Sequence, residues 1–327
     1  RLDGLDALRG IAALCVVLFH LPMAYQFDTR LFGKAYLAVD FFFMLSGYVL
    51  TRTYHQRFVS GLGTGSFMLA RLARLWPTIA VGMVLGFLAV IDELATQRAV
   101  TMLASGLVLV PMLSLKVVFP LNVVLWSIFF ELFANLIHAQ LLWRIGRKVI
   151  LIIAVALVPI MAWVGIERGS FDVGAQSQWF MTGVPRVLFS YLIGVWLSLS
   201  WKDEAPFTLP VPVTLIAMPA AFLLAWTMGI TSWIFDLLFI IVACPVLIAG
   251  GLSTAQFPKA SRVLGDLSFP LYAVHVPIIL MTPEFGGTWP VAVLLSLAVA
   301  WGTSLLLGPA TIRRLRGYLA ARRPMAT

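Results

Sequence analysis

Residues 149–166 read VILIIAVALVPIMAWVGI, eighteen positions in succession without a charge. At a rise of about 1.5 Å per residue, a helix of this length crosses most of a hydrocarbon core roughly 30 Å thick. The chain repeats the pattern. Comparable stretches fall at 10–27, 35–54, 76–95, 123–143, 182–200, 211–228, 231–250, 267–283 and 289–310, so the sequence predicts ten spanning helices. Composition agrees: the 327 residues are 61% hydrophobic and only 11% charged, against about 25% charged in an average soluble domain. So few charges cannot cover the surface of a soluble fold. An all-α, polytopic membrane protein is expected, with residues 1–327 forming one integral-membrane domain and no fused soluble domain.

Residues 99–114 (AVTMLASGLVLVPMLS) are apolar but short and interrupted by Pro111, which predicts a re-entrant or interfacial piece. The basic residues decide between ten spans and eleven. With ten spans and both termini cytoplasmic, seventeen of the 23 Lys and Arg residues fall on the inner face. They include Arg1, Lys202 and the clusters at 144–148 and 313–323, while Arg30, Lys34, Arg98, Lys116, Arg168 and Arg186 stay outside. An eleventh span would carry both clusters outward, against the positive-inside rule. The net charge of +9 follows from this sorting, and no basic run interleaved with aromatics suggests nucleic acid. Cys15 and Cys244 each sit in an apolar run and read as small hydrophobes rather than as a disulfide.

Ionisable groups inside a bilayer are costly, and each is a functional candidate. Those within spans are Arg9, His20, Asp40, Glu131, His138 and His275; Asp236 and Arg186 are expected at helix edges, where solvation is easy. Asp40 lies roughly 8 Å and Glu131 roughly 12 Å down their helices from the outer side, and His20 and His275 share a similar level. Arg9 and His20 are eleven residues apart, three turns plus about 20°, so they share a helix face at a separation of roughly 16 Å. One face thus carries a cation near the cytoplasm and an imidazole further out. His138, one turn above the inner interface, reads equally well as a hydrogen-bonded packing residue.

Five segments occur in order: LDGLDALRGIAALCVVLFH (2–20), AVDFFFMLSGYVL (38–50), RLARLWP (71–77), LWSIFFELFANL (125–136) and LGDLSFPLYAVHVPII (264–279). Together they resemble the acyltransferase-three family of bacterial integral-membrane O-acyltransferases, and the resemblance extends over essentially the whole chain. The Arg, ten residues, His signature matches at Arg9 and His20. Phe-Phe-x-x-Ser-Gly matches at Phe42 to Gly47, Arg-x-x-Arg at Arg71 and Arg74, and Trp-Ser…Glu at Trp126, Ser127 and Glu131. Many relatives read Ser-x-Glu where this chain has the wider Ser-Ile-Phe-Phe-Glu.

The resemblance implies transfer of an acyl group, commonly acetyl from acetyl-CoA, to a hydroxyl of an extracytoplasmic carbohydrate or glycoconjugate at the bacterial inner membrane. A hydroxyl is a weak nucleophile near neutral pH, and a positioned base contributes about 10²–10⁴-fold. His20 suits that task, with Asp40 or Glu131 orienting its ring and stabilising the imidazolium. Arg71 and Arg74 offer bidentate forks to the phosphates of an acyl-CoA, and Arg9 a charge for a further phosphate or for the thioester carbonyl. Trp126, Ser127, Tyr272 and His275 are expected to contact substrate. The partners implied are acyl-CoA, the acceptor and the lipid bilayer; a homodimer is compatible, and no metal is expected. A transporter or flippase of a lipid-linked glycan would use intramembrane charges equally well, but it would leave a thioester intact.

Overall fold

The structure is a computed structural model describing residues 2–308, apart from 27, 29, 30, 93, 202, 203 and 255–257. Arg1, Arg30, Lys202 and the basic cluster at 313–323, which enter the charge sorting, lie outside the described residues. The helices are α1 (Asp3–His20), α2 (Ala38–Val59), α3 (Thr64–Leu88), α4 (Thr96–Leu107), α5 (Leu125–Gln140), α6 (Arg147–Ala156) and α7 (Val158–Arg168). They continue with α8 (Gly183–Trp201), α9 (Val211–Thr227), α10 (Trp233–Leu238), α11 (Cys244–Ser253), α12 (Pro258–Met281) and α13 (Trp289–Leu307). Among the described residues, each of the ten stretches expected to span contains a helix. Among the described residues, seven rods are long and apolar enough to cross a bilayer: α1, α3, α6–α7, α8, α10–α11, α12 and α13. The protein is an all-α, polytopic membrane protein.

Prolines explain the irregularities. Pro159 has no N–H for the carbonyl of Val155, and the rod from Arg147 to Arg168 breaks there into α6 and α7. Pro245 follows a π-helical turn at Phe239–Ala243 that joins α10 to α11. In α12, Pro277 deprives the carbonyl of Ala273 of its helical partner, and the side chain of Asn122 donates to that oxygen at 2.7 Å.

The described parts of the loops around 21–37, 108–124, 169–182 and 228–232 meet at one end of the bundle, called the capped end below. There Val118 N–H donates to the Ala175 carbonyl at 3.0 Å, and Lys34 reaches the Thr231 carbonyl at 2.9 Å. At the opposite, open end, Thr64 at the start of α3 bonds the Ala139 carbonyl near the end of α5. The short apolar stretch at 99–114 begins within α4, which runs back along α3 from the capped end. Trp76 donates to the Leu107 carbonyl at 2.9 Å, and the chain then returns to the loop of Val118. It enters and leaves at one end of the bundle, an arrangement open to both the re-entrant and the interfacial reading.

The interior is built from α1 against α12 and α2 against α8. Two-thirds of α1 is buried but only 22% of α13, whose Leu294, Leu305 and Leu306 face outward as a lipid-exposed helix does. Helices associate in lipid by close packing, which small residues allow. A Cβ on Gly47 of α2 would collide with the Tyr191 carbonyl of α8, and one on Gly194 with the Met44 carbonyl. The glycine of the Phe-Phe-x-x-Ser-Gly element therefore sets the α2–α8 approach and fixes its neighbour Ser46 in place.

Candidate active site

α1 ends where Pro22 follows, which leaves His20 in its last turn. The His20 Nδ1 lies 2.8 Å from the Val16 carbonyl and 3.1 Å from Nε2 of His275. The two rings meet edge to face, 4.9 Å between centroids, with His20 part-exposed and His275 buried. His275 Nδ1 in turn faces the carbonyls of Leu271 (3.1 Å) and Tyr272 (2.9 Å). Tyr272 continues the line. Its hydroxyl lies 2.5 Å from Ser127 Oγ, and Ser127 itself donates to the Val124 carbonyl, so the phenol is the donor between them.

One turn along α5 from Ser127, Glu131 accepts from Arg71 of α3 at 2.8 Å and from Ser46 of α2 at 3.1 Å. Three motif elements far apart in sequence thus meet at one carboxylate. Arg71 keeps its Nε buried with no protein partner. Arg74 is exposed one turn further on, and Arg9 of α1 lies within electrostatic range of it. The same face of α5 continues through Asn135 to His138, whose Nδ1 lies 3.0 Å from the Tyr191 hydroxyl. His138 is fully buried, and this contact fits its reading as a packing residue.

Several expectations need correction. Asp40 does not orient His20: its oxygens accept from Arg186 (2.7 Å at the shortest) and from Ser190 (3.0 Å). Glu131 does not orient His20 either, because it is the ion-pair partner of Arg71. Arg186 and Asp236 are not solvated helix edges; both are wholly buried. The capping loops cover them: Arg186 also donates to the carbonyls of Val173 and Tyr36, and Asp236 accepts from Lys34 at 2.6 Å, from the Tyr36 hydroxyl and from the Phe171 N–H. Trp126 is 7% exposed and lays its ring face under the Arg186 guanidinium at 5.2 Å, so it packs the capped end. Ser127, Tyr272 and His275, expected to contact substrate, are buried with their polar atoms engaged by protein groups.

Lys34, Tyr36, Arg186 and Asp236 are the residues whose importance the sequence did not give. The available signal was their charge in an apolar setting, but only their burial gives it meaning.

The fold and these two polar centres define a multi-pass membrane protein with a histidine pair, one ring part-exposed and the other buried, and, on neighbouring helices, an arginine-carboxylate cluster. Residues 2–308 match the sequence profile described as "Acyltransferase domain", so the chain belongs to the acyltransferase-three family and is a membrane acyltransferase. It is also similar to "Protein 2 in picA locus" of Rhizobium radiobacter, 36% identical over 177 residues, which cover 48% of this chain and 91% of that relative. No solved structure matches the chain.

Proposed function

We propose that the protein moves an acyl group, acetyl being the simplest, from acyl-CoA on the cytoplasmic side to a hydroxyl of an extracytoplasmic carbohydrate or glycoconjugate, with His20 as general base. The site is a bacterial inner membrane. The observation that carries this reading is the His20 ring itself. A carbonyl can only accept, so the short Nδ1 contact with Val16 puts the proton on Nδ1 and leaves the lone pair on Nε2. A part-exposed imidazole in that tautomer is a base ready for a hydroxyl proton.

In the proposed reaction, Nε2 takes the proton of the acceptor hydroxyl while its oxygen attacks the thioester carbonyl. The tetrahedral adduct collapses, the C–S bond breaks, and the leaving thiolate takes the proton from Nε2. No net proton is gained or lost. Arg9, Arg71 and Arg74 are the candidates for holding the donor's phosphates. The Nε of Arg71, buried without a protein partner, supports a ligand there. Glu131 then acts on Arg71, aiming the guanidinium.

The test is acetyl-CoA turnover by purified protein with a sugar acceptor panel. His20→Ala should lose at least about 100-fold in kcat while keeping its expression and thermal transition. Retained turnover would remove His20 as base, and an intact thioester with wild-type protein would remove the reaction.

A further inference from the structure

We propose that His275 is the positioning partner of His20: its Nε2 accepts the His20 Nδ1 proton and holds the base in its working tautomer, in the place that a carboxylate usually takes. This rests on the reading of His20 as the general base.

The hydrogen-bond directions follow from the neighbours. His275 Nδ1 faces two backbone carbonyls, which only accept, so Nδ1 carries the proton of that ring. In the neutral ring Nε2 is then a lone pair, and it points at His20 Nδ1 over 3.1 Å. His20 Nδ1 already bears a proton for Val16, so one N–H is shared between the Val16 oxygen and the His275 nitrogen. Every direction agrees with every other, and no second assignment satisfies both carbonyl contacts. A proton on both His275 nitrogens would set two N–H groups against each other.

The rest of α12 keeps His275 in place. Its side chain is fully buried, Pro270 and Pro277 flank it, and Asn122 ties down the carbonyl that Pro277 frees. The acceptor for His20 is therefore held by a helix that spans the bundle interior, not by a loop. As Nε2 of His20 takes the hydroxyl proton, the ring becomes a cation. The Nδ1 proton stays on His20 and strengthens its bond to the His275 lone pair, until the departing thiolate removes the Nε2 proton. A neutral imidazole suits a buried site better than a carboxylate here. The nearby carboxylates are committed elsewhere, Asp40 to Arg186 and Glu131 to Arg71, and no ion pair has to be formed and broken in apolar surroundings.

Loss of the orienting carboxylate from a Ser-His-Asp triad lowers kcat about 10⁴-fold by releasing the wrong tautomer. Val16 remains in place here, so His275→Leu should lower kcat less, by about 10- to 100-fold, with the donor KM within about twofold of wild type. His275→Gln puts an amide oxygen near the Nε2 position and should recover most of kcat. The direct measurement uses wild-type protein labelled with ¹⁵N-histidine, the His20 signals being assigned by their loss in His20→Ala. His20 should show a protonated Nδ1, a bare Nε2 and a coupling across the hydrogen bond to His275 Nε2. In His275→Leu the proton should redistribute toward Nε2. Wild-type kcat in His275→Leu, or a wild-type His20 bearing its proton on Nε2, overturns the proposal. If His275→Leu does not fold, the wild-type spectrum still decides. If His20→Ala keeps turning over, the base assignment fails instead, whatever the spectrum shows.

Discussion

Arg71 gives one guanidinium N–H to Glu131 across 2.8 Å, and the two side chains keep 13% and 24% of their surface exposed. Removing one partner of a fully buried pair costs about 3–5 kcal/mol, and partial exposure reduces that to about 1–3 kcal/mol here. Arg71→Ala should therefore lower the thermal transition of the purified protein and raise the apparent KM for the acyl donor. Adding Glu131→Gln should recover stability without restoring donor affinity. A double-mutant cycle on both quantities separates the two roles, and additive stability losses would mean the pair is not coupled. Asp40 behaves differently. Both it and Arg186 are wholly buried, so Asp40→Asn leaves a guanidinium unneutralised at a cost of about 3–5 kcal/mol. The expected result is reduced accumulation in membranes, with kcat per folded molecule near wild type; a selective loss of kcat would return Asp40 to the chemistry.

At the scale of the elements, α12 shows how a broken hydrogen-bond ladder is repaired from outside. Pro277 removes the N–H that would serve the Ala273 carbonyl, and Asn122 supplies one from the loop before α5. Asn122→Ala should cost about 1–3 kcal/mol, because a carbonyl is left unpaired in the interior. Pro277→Ala restores the helical N–H, so the double variant should be more stable than Asn122→Ala alone. Thermal unfolding in detergent checks the order of the two, and an equally unstable double variant would refute the repair. The α2–α8 contact is more rigid. Gly47 and Gly194 face carbonyls of the opposing helix, and a methyl group at either has no room without separating the two helices.

Across the whole molecule, charge and connectivity agree on orientation. The antiparallel order brings Arg52, Arg57, Arg144, Arg147, Lys148 and Arg262 to the open end, and Lys34, Lys116, Arg168 and Arg186 to the capped end. The positive-inside rule predicts a cytoplasmic open end. Cysteines placed at Ser60 and at Gln178, both exposed, test this with a membrane-impermeant maleimide on intact cells. Gln178→Cys should label and Ser60→Cys should not, with little background from the buried Cys15 and Cys244; the reverse pattern inverts the topology. What was legible in the sequence is whatever one segment decides alone. The uncharged run at 149–166 is membrane-length by itself, and Arg9 and His20 share a face because they share a helix. The five motifs likewise lie within single segments. Partner choice was not legible. His20 meets His275, Asp40 meets Arg186, Arg71 meets Glu131 and Lys34 meets Asp236 only because separate helices and capping loops pack together. A charge in a sequence records that burial would be costly, but not which opposite charge will offset it. That depends on which helices lie side by side, and the tertiary structure alone decides it.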